Sequence, residues 1–231
     1  MKRFLLGLLV PAVLVVIALP ATAGDFVKQT DGRWLVSQPT AERPLREDYD
    51  DSIVTVLEEN YDKLVYSVKL GGDRKQRQEI DAPRVEQVFY WPQPAAWTEA
   101  TGAMESGDFG AALAKFQELA KDRKSRRWLR TYSLYNIARI YENSGDLKAA
   151  NQTWEQLVTD YKKSRFVPDA HIRMGLNFDN MGDAAAARSS FGKLGRIPGL
   201  PAGKKALGRY YEILIKQKQG QAREGRPPNT G

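Results

Sequence analysis

Residues 138–157 read ARIYENSGDLKAANQTWEQL, centred on Gly145-Asp146. Ala138 stands seven residues before that glycine and Tyr141 four before it. Ala150, Trp154 and Leu157 stand five, nine and twelve after it. The same frame surrounds Gly107-Asp108 and Gly182-Asp183, at spacings of 38 and 37 residues. Ala112 and Ala187 take the small position, Phe116 and Phe191 the aromatic one, and Leu119 and Leu194 the last. Before the third glycine Gly175 and Phe178 repeat Ala138 and Tyr141, whereas the first unit has Ala103 for the aromatic. Glycine tolerates the left-handed backbone that ends a helix, and an aspartate side chain caps the next one. The small residue admits a close helix, and the aromatic and Leu share one helical face. Each helix pair therefore leaves an apolar flank that a neighbouring pair must cover, and the expected result is a stack of three pairs. A last helix over about Ala202–Lys218, with Leu207, Tyr211 and Leu214 at i, i+4 and i+7, is expected to cap the open end.

Over about Gln93–Leu194 this frame resembles the tetratricopeptide repeat (TPR). The units exceed the usual 34 residues, and Asp160-Tyr161-Lys162-Lys163-Ser164 followed by Pro168-Asp169-Ala170 resembles the longer linker of such proteins in bacterial envelopes, among them outer-membrane-assembly and Tol-associated coordinators. The resemblance implies a concave groove, lined by the first helix of each pair, that holds a protein partner or peptide segment. Carried onto this sequence, the groove set is Trp97, Tyr132, Tyr135, Arg139, Asn143 and Asn180. Aromatics and Arg anchor interfaces, and Asn pairs with peptide backbone. Tyr135 and Ile172 have an equally good alternative reading as packing residues between pairs.

Ahead of the repeats, residues 24–91 alternate as short strands. Phe26-Val27 and Trp34-Leu35-Val36 flank an Asp31-Gly32 turn. Ile53–Leu57, Leu64–Val68, Gln78–Ile80 and Val85–Tyr90 follow, with a tight Asp81-Ala82-Pro83 turn before the last, and Gln38–Asp51 reads as loop. Short strands in this order suggest a small antiparallel barrel or half-open sheet, with an architecture similar to SH3-like or Sm-like barrels. Trp91-Pro92-Gln93-Pro94 marks the boundary, since Pro suits neither a central strand nor a helix interior. The fold class expected is multi-domain α+β, a β-barrel-like module followed by an all-α solenoid over residues 92–219. A disordered tail over 220–231 completes the chain.

Lys2-Arg3, the apolar run Phe4–Leu19 and Ala21-Thr22-Ala23 have the parts of a secretory signal peptide over residues 1–23. Cleavage after Ala23 leaves 208 of the 231 residues, soluble in the periplasm or outside the cell. An uncleaved anchor is the alternative, disfavoured by Pro11 and the short run. The chain has no Cys and one His (His171), which excludes disulfides, Cys-ligated zinc or iron–sulfur centres, a Cys nucleophile, a lipidated Cys and any two-imidazole site. No phosphate loop, nucleophile elbow or dinucleotide fingerprint is present, so neither enzymatic activity nor a cofactor or metal is expected.

The net charge of +7 is uneven: +2 on residues 1–23, −4 on 24–91 and +9 on 92–231. The densest basic run, Lys121–Arg130, offers Arg123, Lys124, Arg126, Arg127 and Arg130 as an anion patch with Trp128 beside it. Three readings follow: a patch for anionic lipid or polyanion, a solvated connector with Trp128 folded underneath, or a surface that leans on the acidic β module. Export argues against nucleic acid as a physiological ligand. Glu47, Asp48, Asp50 and Asp51 lack the spacing of a calcium loop and read as solvated. Function is thus expected to be that of a non-catalytic adaptor in a bacterial cell envelope. The alternatives are an anionic-surface binder using Lys121–Arg130 and a regulatory subunit of an envelope enzyme.

Overall fold

Three glycines share one backbone geometry and set the architecture: Gly107, Gly145 and Gly182 each have φ of 81°. The aspartate after each caps a helix. Asp108 accepts from the Ala111 amide at 3.0 Å, Asp146 from Ala149 at 3.0 Å and Asp183 from Ala186 at 2.9 Å. In a computed structural model, which describes residues 25–33, 35, 54–69, 74–90 and 93–223, these corners join α1 (Ala95–Glu105) to α2 (Phe109–Lys121), α3 (Arg127–Asn143) to α4 (Leu147–Asp160), and α5 (Val167–Asn180) to α6 (Ala184–Arg196). A long α7 (Ala202–Arg223) follows, and every helix packs on its sequence neighbours. Pro94 precedes α1 as its N-cap residue.

The repeated positions form the core. Ala112, Ala150 and Ala187 are fully buried, as are Phe116, Trp154 and Phe191, and Leu119, Leu157 and Leu194 lie beside them. Gly175 shows why a small residue precedes the corner. A Cβ placed there would lie 2.5 Å from the Phe191 ring, closer than a methyl group can come.

Strands occur at β1 (Phe26–Gln29), β2 (Val54–Glu59), β3 (Lys63–Lys69), β4 (Lys75–Asp81) and β5 (Val85–Phe89), while Trp34 and Val36 of the strand expected after the first turn lie outside the described residues. The Asp81–Pro83 turn is one turn of 3-10 helix, Ala82–Arg84, with Pro83 supplying the fixed φ. Chain reversal at Asp31-Gly32 also occurs, with Gly32 at φ 82° and the Leu35 amide donating to the Val27 carbonyl at 3.0 Å. The barrel, however, does not close. Among the described residues β1 pairs antiparallel with β5 in one sheet, and β2-β3-β4 form a second. Asp25 links them, its amide donating to the Val54 carbonyl at 2.8 Å and its carboxylate accepting the Val56 amide at 2.7 Å. Helices cover the apolar faces that closure would otherwise bury. Val27, Val54, Val56, Leu64, Ile80 and Tyr90 belong to one hydrophobic cluster with Trp97, Phe116, Trp128 and Ile137.

At the far end α7 lies in a different rotational register from the one its sequence suggests. Gly208 and Ile215 face inward, and Tyr211 stacks on Phe191 at 4.9 Å, while Leu207 points to solvent. Gly208 permits this, since a Cβ there would meet the Phe191 carbonyl oxygen at 2.9 Å. The helix continues through Gly220 to Arg223, into the segment expected to be disordered. The apolar run 4–19, the acidic cluster 47–51, the Gln38–Asp51 loop, Trp91-Pro92 and the last eight residues fall outside the described residues.

Candidate functional site

The three loops that connect one helix pair to the next all meet the β region. In the α2–α3 loop, Arg126 Nη1 donates to Asp25 Oδ1 at 3.0 Å and Nη2 reaches Oδ2. The Asp25 side chain is wholly buried, so the guanidinium and the Val56 amide stand in for its water. In the α4–α5 loop, Ser164 bridges Asn60, the Arg165 amide donates to the Glu59 carbonyl at 2.8 Å, and the Tyr61 amide donates to Lys163 at 3.0 Å. The β2–β3 turn thereby continues its backbone pairing onto the solenoid. In the α6–α7 loop, Gly199 (φ 72°) lies against Asp62.

Glu59 is the centre of this junction, its side chain only 8% exposed. It accepts from the Tyr90 hydroxyl at 2.5 Å, the Tyr132 hydroxyl at 2.8 Å and Arg165 Nη1 at 2.7 Å. Burial and the Glu59 charge push both phenols above their ordinary value. Burial acts against the Arg165 charge, but Glu59 and Tyr132 outweigh it and hold the guanidinium up. The aromatic floor beneath is continuous. Tyr90 stacks on Trp128 at 4.3 Å and 9°, Trp97 meets Trp128 edge-on at 5.2 Å, and Tyr132 meets Phe166 edge-on at 4.7 Å.

Six residues carry the groove reading, and they fall in three places. Trp97 is buried between Phe116, Trp128 and Tyr132, and Tyr132 is tied to Glu59, so the chain's own β region occupies that end of the first-helix surface. Tyr135 packs on Trp154 and Phe166 at 5.4 and 4.5 Å while its hydroxyl accepts from Arg139 at 3.2 Å. Asn143 and Asn180 end α3 and α5 and face solvent. Arg139 and the exposed Leu176 occupy matching positions, six residues before Gly145 and Gly182. Asn143, Leu176 and Asn180, with the half-buried Arg139 that also pairs with Glu142 at 3.6 Å, thus form the remainder of that surface.

The basic run divides in a similar way. Arg126 is spent on Asp25, and Arg127 and Arg130 lie over the Tyr161 ring at 5.3 and 6.0 Å. Arg123 and Lys124 alone of the five are exposed, and Trp128 is buried. The connector leans on the β region, as one of the three sequence readings has it.

The motif-led reading overlooks Asp25, Glu59, Tyr90 and Arg165 as a set. One signal was available: Arg126 and Arg165 lie 19 and 20 residues after their Gly-Asp glycines, so the repeat itself delivers an arginine to successive loops. It also overlooks the acid three residues before the corner. Glu142 accepts from Trp154 Nε1 at 2.9 Å, Asn177 Nδ2 at 3.1 Å and Arg173 Nη1 at 3.0 Å. Its counterpart Asp179 pairs with Lys218 of α7 at 2.6 Å, so each acid reaches the first helix of the next layer.

A cleft of about 490 Å³ lies between α4 and α6, with Met174, Phe178 and Met181 on one wall and Lys148, Glu155 and Lys193 among the polar residues around it. No group of three or more His, Asp or Glu suited to a metal occurs among the described residues. The tetratricopeptide repeat family matches residues 132–164, which run from the second turn of α3 to the α4–α5 loop. No curated protein matches the chain. The match supports a TPR-repeat protein, and repeats of that kind point to protein–protein interaction.

Proposed function

We propose that this is an exported, non-catalytic adaptor of a bacterial cell envelope that binds a protein segment on its helical repeats. The observation that carries the reading is the TPR match at residues 132–164, set within three corners of identical geometry. The docking surface proposed is the exposed set Asn143, Leu176 and Asn180, with the half-buried Arg139 beside them. Two amides that can grip a peptide backbone and one guanidinium suit an extended or helical segment. The β region, with β1–β5 and β2-β3-β4 sheets and a 3-10 turn before β5, supports an SH3-like module opened and braced against the repeats. The basic run is the weaker ligand site, because three of its five cations are already engaged within the chain.

Photo-crosslinkers at Asn143 and Asn180, with one at the exposed Gln93 as control, test the surface in cells. The reading expects the first two positions to trap the same protein and the control to trap none, with Arg139→Ala reducing the yield. Equal capture at all three positions rejects it. The N-terminal residue of the protein purified from an envelope fraction checks export: Gly24 supports it, and a retained Met1 opposes it.

A further inference from the structure

On α7 the side turned away from α6 carries an apolar stripe. Leu207, Tyr210 and Ile213 are 38%, 57% and 52% exposed, and the half-buried Leu214 adjoins them. At about 100° per residue these four positions fall within an arc of about 120°. Arg209 and Lys216 border the arc on one side and Lys218 on the other, and Lys204 is exposed in the first turn of the helix. The helix holds six basic residues and one acidic one, Glu212, which lies on the opposite side and pairs with Lys216 at 3.6 Å. Lys218 reaches Asp179, whereas Lys204 and Arg209 make no ion pair among the described residues. No carboxylate of α7 faces the stripe.

We propose that α7 is an interfacial helix that docks the protein on an anionic lipid surface. Leu207, Tyr210 and Ile213 enter the headgroup boundary, and the bordering Lys and Arg extend their stems to lipid phosphates. Charge selects this occupant over a second copy of the chain, since pairing two α7 helices would bring two strongly cationic faces together. Area selects it over a folded protein partner. The three exposed side chains form a single ridge of on the order of 300 Å², against roughly 800 Å² per partner in a stable protein interface. The helix lies on the surface and does not cross it, for no described helix is long and apolar enough to span a membrane.

The chain has no Cys, so an Ile213→Cys variant carries a single environment-sensitive fluorophore on the stripe. Tyr210→Cys gives an independent label site, and Gln152→Cys on the exposed side of α4 is the control. The probes are phosphatidylcholine vesicles with and without about 30 mol % phosphatidylglycerol. The expected result is a blue shift at positions 213 and 210 with the anionic vesicles, a response to neutral vesicles weaker by about tenfold or more, and no change at 152. Raising salt weakens the shift, and Lys204→Glu with Arg209→Glu abolishes it with the circular dichroism unchanged. The local readout separates α7 from any membrane affinity of residues 4–19, which every variant shares. No shift at 213 or 210, an equal shift with neutral vesicles, or a shift that grows with protein concentration without lipid would overturn the proposal. The last result would assign the stripe to a second copy.

Discussion

Arg126 grips the carboxylate of Asp25 across 101 residues of sequence, and the aspartate has no exposed side-chain surface. Desolvating that charge is tolerable because charged and polar partners replace its water. Arg126→Ala removes the guanidinium that meets both of the Asp25 oxygens and is expected to cost about 2–3 kcal/mol, the guanidinium being itself partly exposed. Asp25→Asn, which removes the charge, is expected to cost less than Arg126→Ala. Urea denaturation of the two variants checks the order.

Glu59 supplies the acceptor for two buried phenols and a guanidinium. Glu59→Ala is expected to lose about 3 kcal/mol and to free the α4–α5 loop to proteolysis, while Glu59→Gln keeps an acceptor oxygen and loses about half as much. In the folded protein Tyr90 and Tyr132 stay protonated beyond the ordinary tyrosine range. Their contribution to stability is complete below about pH 10 and falls as pH rises further, because the unfolded chain ionises first. An ultraviolet titration should show two of the ten tyrosines ionising only with unfolding.

His171 is buried on α5, its Nδ1 without a partner, and burial, with Lys193 adding to it, pushes its pKa down to about 4. The fold therefore holds the neutral ring, and the unfolded chain takes up the proton first. Stability from this site is complete above about pH 6.5, declines as pH falls toward 4 and is level below that, with a total of roughly 3 kcal/mol. His171→Phe is expected to flatten that segment of the stability-versus-pH curve.

Two glycines separate two physical reasons for the same residue. Gly175→Ala forces a methyl group onto the fully buried Phe191 ring and is expected to cost about 2–3 kcal/mol. Gly107→Ala meets no atom within 4 Å but sits at φ 81°, so its cost of about 1 kcal/mol comes from backbone strain alone. Thermal unfolding of the pair measures the difference.

The helical corners were readable because their physics is local. Gly145 and Asp146 need only their immediate neighbours to end one helix and begin the next. The strands near Val54 and Leu64 were readable for the same reason, through alternation. What alternation could not show is which faces close on each other. Trp128 covers Tyr90 in place of a closing sheet, and that pairing depends on residues nearly forty positions apart. The groove residues illustrate the same limit. Tyr132 has the chemistry of a partner anchor, and whether it meets a partner or Glu59 is decided by where the β2–β3 turn lies. In α7, Leu207 and Tyr211 both fit an inward stripe, and the close approach of Gly208 to the Phe191 carbonyl rotates Leu207 out.

The contacts at Arg126, Arg165 and Gly199 recur once per layer along one edge of the stack. A stack joined only from neighbour to neighbour behaves as a spring, able to open or twist one layer at a time. A rib fastened to three successive layers makes it a girder: its pitch is set, and fraying at one end must strain the fastenings of the others. The shape offered to a binding partner is therefore held before the partner arrives.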